Sequence, residues 1–259
     1  MNAVATQDAS LQIFDTLLQL RDDLRSHPRV PVLQFLDVCA KNFQMSKSQI
    51  FQDLFVVFCL DGKRNGTFVE FGAADGVNLS NSFMLETRFG WKGILAEPAR
   101  DWHPKIRKAR SAILETRCVW SKSGERLQFR ETPYGELSTI EQFADKDGNR
   151  GGRVDGKVYE VETISLNDML ATHNCPREID YMSVDTEGSE MEILSAFDFS
   201  KHDIKIMTVE HNYTEDRAKL RKLLADQGFT CVLENLSKYD DWFVKEPVLL
   251  AMERRLGLR

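Results

Sequence analysis

The residues that could do chemistry stand where apolar runs end. Thr67-Phe68-Val69-Glu70-Phe71-Gly72-Ala73-Ala74-Asp75-Gly76 reads as a short buried strand entering a glycine-bearing turn. Glu70 interrupts the apolar run just before the turn, and Asp75 precedes the second glycine. In an open α/β sheet, ligands bind at the carboxyl ends of the strands. The spacing is not the GxGxxG of dinucleotide-binding turns, and two carboxylates would repel a pyrophosphate. They suit a ligand that carries an ammonium and a sulfonium, which describes S-adenosylmethionine.

Three further strand ends are acidic. Ile94-Leu95-Ala96 ends at Glu97, 21 residues past Gly76, close to the spacing of about 20 at which an acidic residue takes ribose hydroxyls. Val184-Asp185-Thr186-Glu187-Gly188-Ser189-Glu190 places three carboxylates within six residues after a buried run. Glu190 suits the first turn of a following helix, whereas Asp185 stands where the strand opens toward a ligand crevice. Val209 leads into Glu210-His211-Asn212. His211 could be a general base, since an imidazole titrates near neutrality. Equally, Asp185, Glu210 and His211 (or Asn212) could hold a divalent metal such as Mg²⁺. Both roles stay open from the residues alone.

The elements that must position these groups follow a βα rhythm. Strands are expected at 67–71, 94–96, 111–119, 180–185 and 204–209, with helices at 80–89, 101–110, 189–197 and 215–227. The last of these turns Ala218, Leu220, Leu223 and Leu224 inward, with Gly228 as its stop. A closing antiparallel pair is expected at 230–236 and 242–244, with one more edge piece at 247–252. Residues 120–179 break the rhythm, with short strands at 126–131 and 158–164, a helix capped by Ser165 through Ala171, and a polar loop 141–156 whose Arg150 and Arg153 are candidates for acceptor recognition. The fold class is therefore α/β, a doubly wound, seven-stranded, mostly parallel sheet. Two helices, near 10–25 and 32–42, precede it, so the expected division is a helical extension at 1–47 and a catalytic domain at 48–259.

These segments together resemble the FkbM family of S-adenosylmethionine-dependent methyltransferases, over roughly 48–247. The matching stretches are Gln52-Asp53-Leu54-Phe55-Val56, Phe68 to Gly76, Leu79-Ser80-Asn81, Gly90-Trp91-Lys92-Gly93 with the strand to Glu97-Pro98, and Ile179 to Glu190. The resemblance implies the Rossmann-like class I methyltransferase fold and O-methylation of a carbohydrate or natural-product hydroxyl. It implies that Glu70, Gly72 and Asp75 hold the amino-acid end of the cofactor and that Glu97 takes the ribose. The full expected cofactor set is Glu70, Gly72, Ala73, Asp75, Gly76, Ser80, Asn81, Glu97 and Asp185. The expected catalytic residues are Asp185, Glu187 and His211. Ser183 departs from the family, where many members carry Lys before Val-Asp.

Bulk properties narrow the partners. The 259 residues are 42% hydrophobic and 29% charged, enough for a sizeable core. A formal net charge of -6 argues against nucleic acid as the main partner. The longest apolar run, Leu54 to Leu60, is too short to span a bilayer. Five scattered cysteines without CxxC spacing, and no leader-like opening, point to a reducing, cytoplasmic setting. A small-molecule or saccharide acceptor is expected, and a homo-oligomer stays open. The competing readings are an NAD(P)-dependent oxidoreductase, disfavoured by the missing GxGxxG, and a non-catalytic binding protein on the same scaffold.

Overall fold

The computed structural model describes residues 11–16, 18, 32–133, 136–146 and 150–258. Its helices are α1 (Val32–Asn42), α2 (Gln52–Cys59), α3 (Phe83–Phe89), α4 (His103–Ala109), α5 (Leu166–Thr172), α6 (Glu190–Ser195), α7 (Asp216–Asp226) and α8 (Glu246–Arg255). Its strands are β1 (Thr67–Phe71), β2 (Lys92–Ala96), β3 (Ile113–Glu115), β4 (Cys118–Trp120), β5 (Arg126–Glu131), β6 (Thr139–Ile140), β7 (Lys157–Ser165), β8 (Glu178–Val184), β9 (Asp203–Glu210), β10 (Phe229–Val232) and β11 (Asp240–Lys245).

The main sheet runs β10-β11-β9-β8-β1-β2-β3. Strands β9, β8, β1, β2 and β3 are mutually parallel, and β11 and β10 close the edge antiparallel. The expected α/β fold with a mostly parallel sheet is present. Side-chain alternation explains how helices cover both faces. Phe71, Met182, Val184 and Met207 face α5, α6 and α7 through Met169, Leu194 and Leu224. Phe68, Leu95, Tyr181 and Trp242 face α1 to α4 and α8 through Phe35, Phe55, Met84, Ile106 and Met252. Phe55 stacks on Trp242 at 4.6 Å between ring centroids, and Phe35 meets the same indole edge-on at 5.7 Å. That packing joins α1 to the main core.

Several expectations change. The strand expected at 111–119 is two short ones, and β4 pairs with β7 rather than with the main sheet. The irregular region holds a second sheet, β4-β7-β5-β6, with its own cluster of Trp120, Phe129, Ile140 and Phe143. Its β5 and β7 fall on the stretches expected at 126–131 and 158–164, whereas β4 and β6 are three and two residues long, too short to show a period. The edge piece expected at 247–252 is helix α8, with Pro247 in its first turn, where a missing N–H costs nothing. Ala218 is exposed, because the buried stripe of α7 is only Leu220 and Leu224. In the helix expected from Ser10, residues 11–16 are helical, while Ser10, Pro28 and Pro31 lie outside the described residues. No helix among the described residues is long and apolar enough to cross a membrane.

The end of the sheet away from the acidic strand ends is tied by Asp180. Its carboxylate accepts from Lys63 at 2.6 Å, from Lys205 at 2.8 Å and from the Thr67 amide at 3.0 Å. Burial pushes the carboxyl up, but the bonds from Lys205, Lys63 and Thr67 outweigh it and hold it below its ordinary value. A depressed folded-state value stabilises fully above the unfolded carboxyl's pKa of about 4, and that stability drains as pH falls further. Asp180→Asn should cost about 1–3 kcal/mol near neutral pH and flatten the acid side of the stability profile, as read by urea denaturation. An unaltered acid limb would contradict this role.

Candidate active site

Parallel register brings the acidic strand ends side by side. Phe71 pairs with Ala96 and with Val184, and Val184 pairs with Val209. The next residues along each chain are Gly72, Glu97, Asp185 and Glu210. Gly72 has φ +70°, and a Cβ there would lie 1.9 Å from the Asp185 carbonyl oxygen. Only glycine lets the first turn pass that closely to the end of β8.

Glu70 is buried and spent on its own loop. It accepts from the Asn81 amide at 2.7 Å, from Ser80 Oγ at 3.0 Å and from Ser82 Oγ. Arg110 closes the same knot, donating to Ser82 Oγ at 2.8 Å, Ser80 Oγ at 3.1 Å and the Gly76 carbonyl at 2.8 Å. Burial pushes the Glu70 carboxyl up, against the opposing pull of Arg110. Asp75 is likewise occupied, accepting from the Val77 and Asn78 amides at 2.8 and 2.7 Å.

A cavity of about 220 Å³ opens above the strand ends. Glu70, Gly72, Ala73, Asn81, Glu97, Asp185, Glu187 and Glu210 line it, with Cys118, Val119, Phe129 and Ile140 on an apolar side. Asp75, Gly76 and Ser80 do not reach it. They brace the loop that borders it. Glu97 accepts from the Ala74 and Ala99 amides, both at 2.8 Å. Burial pushes its carboxyl up to about 8 despite those bonds, and Glu131 and Glu70 add to the rise.

Asp185, Glu187 and Glu210 each offer an oxygen within 4.8 Å of the others. Burial drives Asp185 and Glu210 well above ordinary carboxyl values, and the neighbouring carboxylates raise both further. Glu187 is steadied by Arg153 Nη2 at 2.7 Å and Asn212 Nδ2 at 3.3 Å. Glu210 Oε2 and Asn81 Oδ1 are buried without a hydrogen-bond partner, and both residues line the cavity. Glu190 stands apart from the triad, since its Oε1 accepts from the Thr186 and Gly188 amides at 2.8 and 3.2 Å.

His211 is not part of this group. Its Nδ1 accepts from the Tyr213 amide at 3.0 Å, and its Nε2 lies 3.7 Å from Asp241 Oδ1. Asp241 is itself held by Arg217 and Arg221. Burial lowers the imidazole pKa. His211, expected as general base and metal ligand, lines a neighbouring cavity with Glu187 and Glu210, its buried Nε2 without a hydrogen-bond partner, while the three convergent carboxylates are Asp185, Glu187 and Glu210. Arg153, expected at an acceptor, is buried and bonds the Leu137 and Ala144 carbonyls as well as Glu187. Arg150 is exposed and pairs with Asp145 at 2.9 Å. Ser183 accepts from Asn81 Nδ2 at 2.9 Å beneath the cavity.

The family model described as the methyltransferase FkbM domain matches residues 70–231, more than half of the chain and all four acidic strand ends. The chain belongs to the FkbM methyltransferase family. It is an S-adenosylmethionine-dependent methyltransferase. No curated protein matches it. Among solved structures it is similar to precorrin-6y C5,15-methyltransferase from Geobacter metallireducens, at 14% identity and TM-score 0.35, over 70% of this chain and 74% of that one. It is also similar to ribosomal protein L11 methylase from Lactobacillus delbrueckii subsp. bulgaricus, at 10% identity and TM-score 0.38, over 75% of this chain and 77% of that one.

The FkbM domain uses two residues that sequence reasoning passed over. Arg110 carried no signal beyond its place at the end of an expected helix. Glu131, which raises the Glu97 carboxyl, ends the strand expected at 126–131 but carried no signal of its own. Gly72→Ala should cost more than about 2 kcal/mol and lower the thermal midpoint, because strand ends and turn must part to admit a methyl group. A midpoint equal to the parent's would show that the close approach at Asp185 is not needed.

Proposed function

We propose that this methyltransferase transfers the methyl group to a hydroxyl of a carbohydrate or natural-product acceptor, with a divalent cation such as Mg²⁺ at Asp185, Glu187 and Glu210. The observation that carries the reading is the buried carboxylate triad, with an orphaned Glu210 oxygen, at the wall of the cavity inside the family domain. On this reading the sheet is the doubly wound frame of class I methyltransferases. Residues 48–259 then form the catalytic domain.

The cavity fits S-adenosylmethionine, which supplies a sulfonium-activated methyl group. Glu97 stands at the end of β2 to take ribose hydroxyls. Cys118, Val119, Phe129 and Ile140 give an apolar wall for the adenine. Asn81 Oδ1, buried and unpartnered, is an acceptor for the ammonium. Glu70 acts through the loop it ties rather than by contact alone.

The triad fits a hard cation, because three carboxylate oxygens converge and only Glu187 is paired with a basic group, Arg153. Asp185, Glu187 and Glu210 would hold the ion, which would supply a lowered pKa to an acceptor hydroxyl beside the cavity. Burial of Asp185 and Glu210 removes competing water.

In calorimetric titrations, Glu97→Ala should weaken S-adenosylmethionine binding about tenfold or more. Asp185→Asn should weaken Mn²⁺ binding about a hundredfold, read by paramagnetic resonance, and abolish turnover. His211→Asn should leave Mn²⁺ affinity unchanged. Mn²⁺ binding that depends on His211 and not on Asp185 would reverse the assignment, and full activity in a metal-free preparation would remove the cation.

A further inference from the structure

Glu97 is held from both sides at the end of β2. Its Oε2 accepts from the Ala74 amide of the first turn and its Oε1 from the Ala99 amide, both at 2.8 Å. Each oxygen makes one such bond and keeps hydrogen-bonding capacity for a ligand in the cavity. The direction of the carboxyl therefore follows the position of two backbone amides. Ala74 is fixed by the first turn. Ala99 lies on the segment that leaves β2, and what fixes it is the second sheet.

The Ala99 amide is the first of three consecutive backbone donors. The next two, on Arg100 and Asp101, open a single turn of 3₁₀ helix (Arg100–Trp102) that has no side-chain cap from Ala99. Amides at the start of a helical turn have no partner within it. Both are met from across the site. The Arg100 amide donates to Tyr159 Oη at 3.1 Å, and the Asp101 amide donates to Glu131 Oε1 at 3.0 Å. The Tyr159 hydroxyl in turn donates to Glu131 Oε2, so the two side chains form one unit.

Sheet register puts that unit in place. Glu131 pairs with Lys157 and Phe129 with Tyr159. Residues two apart share a face, so Glu131, Phe129 and Tyr159 stand together. Ala99 packs in the same apolar cluster as Phe129, and the Arg100 guanidinium lies 4.1 Å over the Tyr159 ring while donating to the Glu160 carbonyl at 3.0 Å. Glu131 is buried. A buried carboxylate is a costly way to cap one short turn. Its placement is explained if the turn must be held still for Glu97.

We infer that Tyr159 and Glu131 are positioning residues for the methyl donor: by holding the Arg100 and Asp101 amides they fix the Ala99 amide, which aims the Glu97 carboxyl at the ribose of S-adenosylmethionine. This rests on the proposed role of Glu97. Without the Tyr159 hydroxyl the Arg100 amide loses its partner, residues 98–101 are free to turn, and Glu97 keeps only its anchor on Ala74. The second sheet then serves the donor twice, through the apolar wall of Cys118, Phe129 and Ile140 and through the aim of a carboxyl that belongs to the main sheet.

The test is a double-mutant cycle on the full chain, read by calorimetric titration with S-adenosylhomocysteine. Glu97→Ala should weaken binding about tenfold or more. Tyr159→Phe keeps the ring under Arg100 and removes only the hydroxyl, and it should weaken binding about fivefold. Glu131→Gln, whose side chain can accept from only one of the two donors with its single carbonyl oxygen, should act in the same direction. In the Glu97→Ala background neither change should cause a further loss, because no carboxyl is left to aim. A merely structural role would instead give losses of equal size in both backgrounds. Such additive losses, or either variant binding as tightly as the parent, would overturn the inference and leave the role of Glu97 standing. Full affinity in Glu97→Ala would strike the proposed role of Glu97 and the inference with it.

Discussion

The structure depends on holding three carboxylates together where water is scarce. Asp185, Glu187 and Glu210 lie within 4.8 Å of one another, so at an effective dielectric of about 20 each ionised pair repels by about 3 kcal/mol. A fold tolerates this only if the backbone leaves the side chains no other place. Parallel pairing of β8 with β9 does so for Asp185 and Glu210, because the paired Val184 and Val209 fix where each strand ends. Glu187 is brought back by a left-handed φ of +58° and anchored by Arg153. Arg153 in turn bonds carbonyls of the second sheet's connections, so that sheet acts as a clamp on the cluster.

The close approach of Gly72 to the Asp185 carbonyl couples this cluster to the first turn. Nothing thicker than hydrogen fits between them. Glu70 and Arg110 fix the loop that follows, through Ser80, Asn81 and Ser82. A buried carboxylate and guanidinium joined through hydroxyls are satisfied without meeting directly, which keeps the loop rigid at the cavity wall. The donor side and the carboxylate side are therefore one mechanical unit, and the distance between them is set by backbone contact rather than by flexible side chains.

How much of this was legible in the sequence follows from what each signal measures. Apolar runs ending in acids marked β1, β2, β8 and β9, because a buried parallel strand must be apolar and its carboxyl end need not be. The FkbM resemblance rested on those same ends. Two strands of the second sheet were legible, at 126–131 and 158–164, but not their pairing into a sheet, since β4 and β6 are only three and two residues long and the partners lie far apart along the chain. The direction of a side chain was not legible either. Glu210 is the last residue of β9 and His211 the first beyond it, and the carboxylate that converges with Asp185 and Glu210, Glu187, comes from another loop. Asp75 looked like a ligand group for the same reason that it makes a good turn residue: a short carboxylate reaches nearby amides.

Strain gives an independent account of where the chemistry lies. Ala74, Leu79, Glu187, Asn212 and Tyr213 are non-glycine residues with positive φ, and all belong to the loops at the carboxyl end of the sheet. Several other such residues, including Asp61, Asn65 and Asn174, lie in turns rich in glycine or asparagine, where no larger explanation is needed. A β-sheet of this size would fold with relaxed loops. Keeping five strained residues costs of order 1 kcal/mol each, which core burial on both faces of the sheet offsets. The strained residues lie in three loops around the carboxylate cluster: the first turn, the loop after β8 and the loop after β9. Relaxing any one of them would let its loop swing and the carboxylates separate. Stability is thus drawn from the core to hold the crowded carboxylates in one geometry.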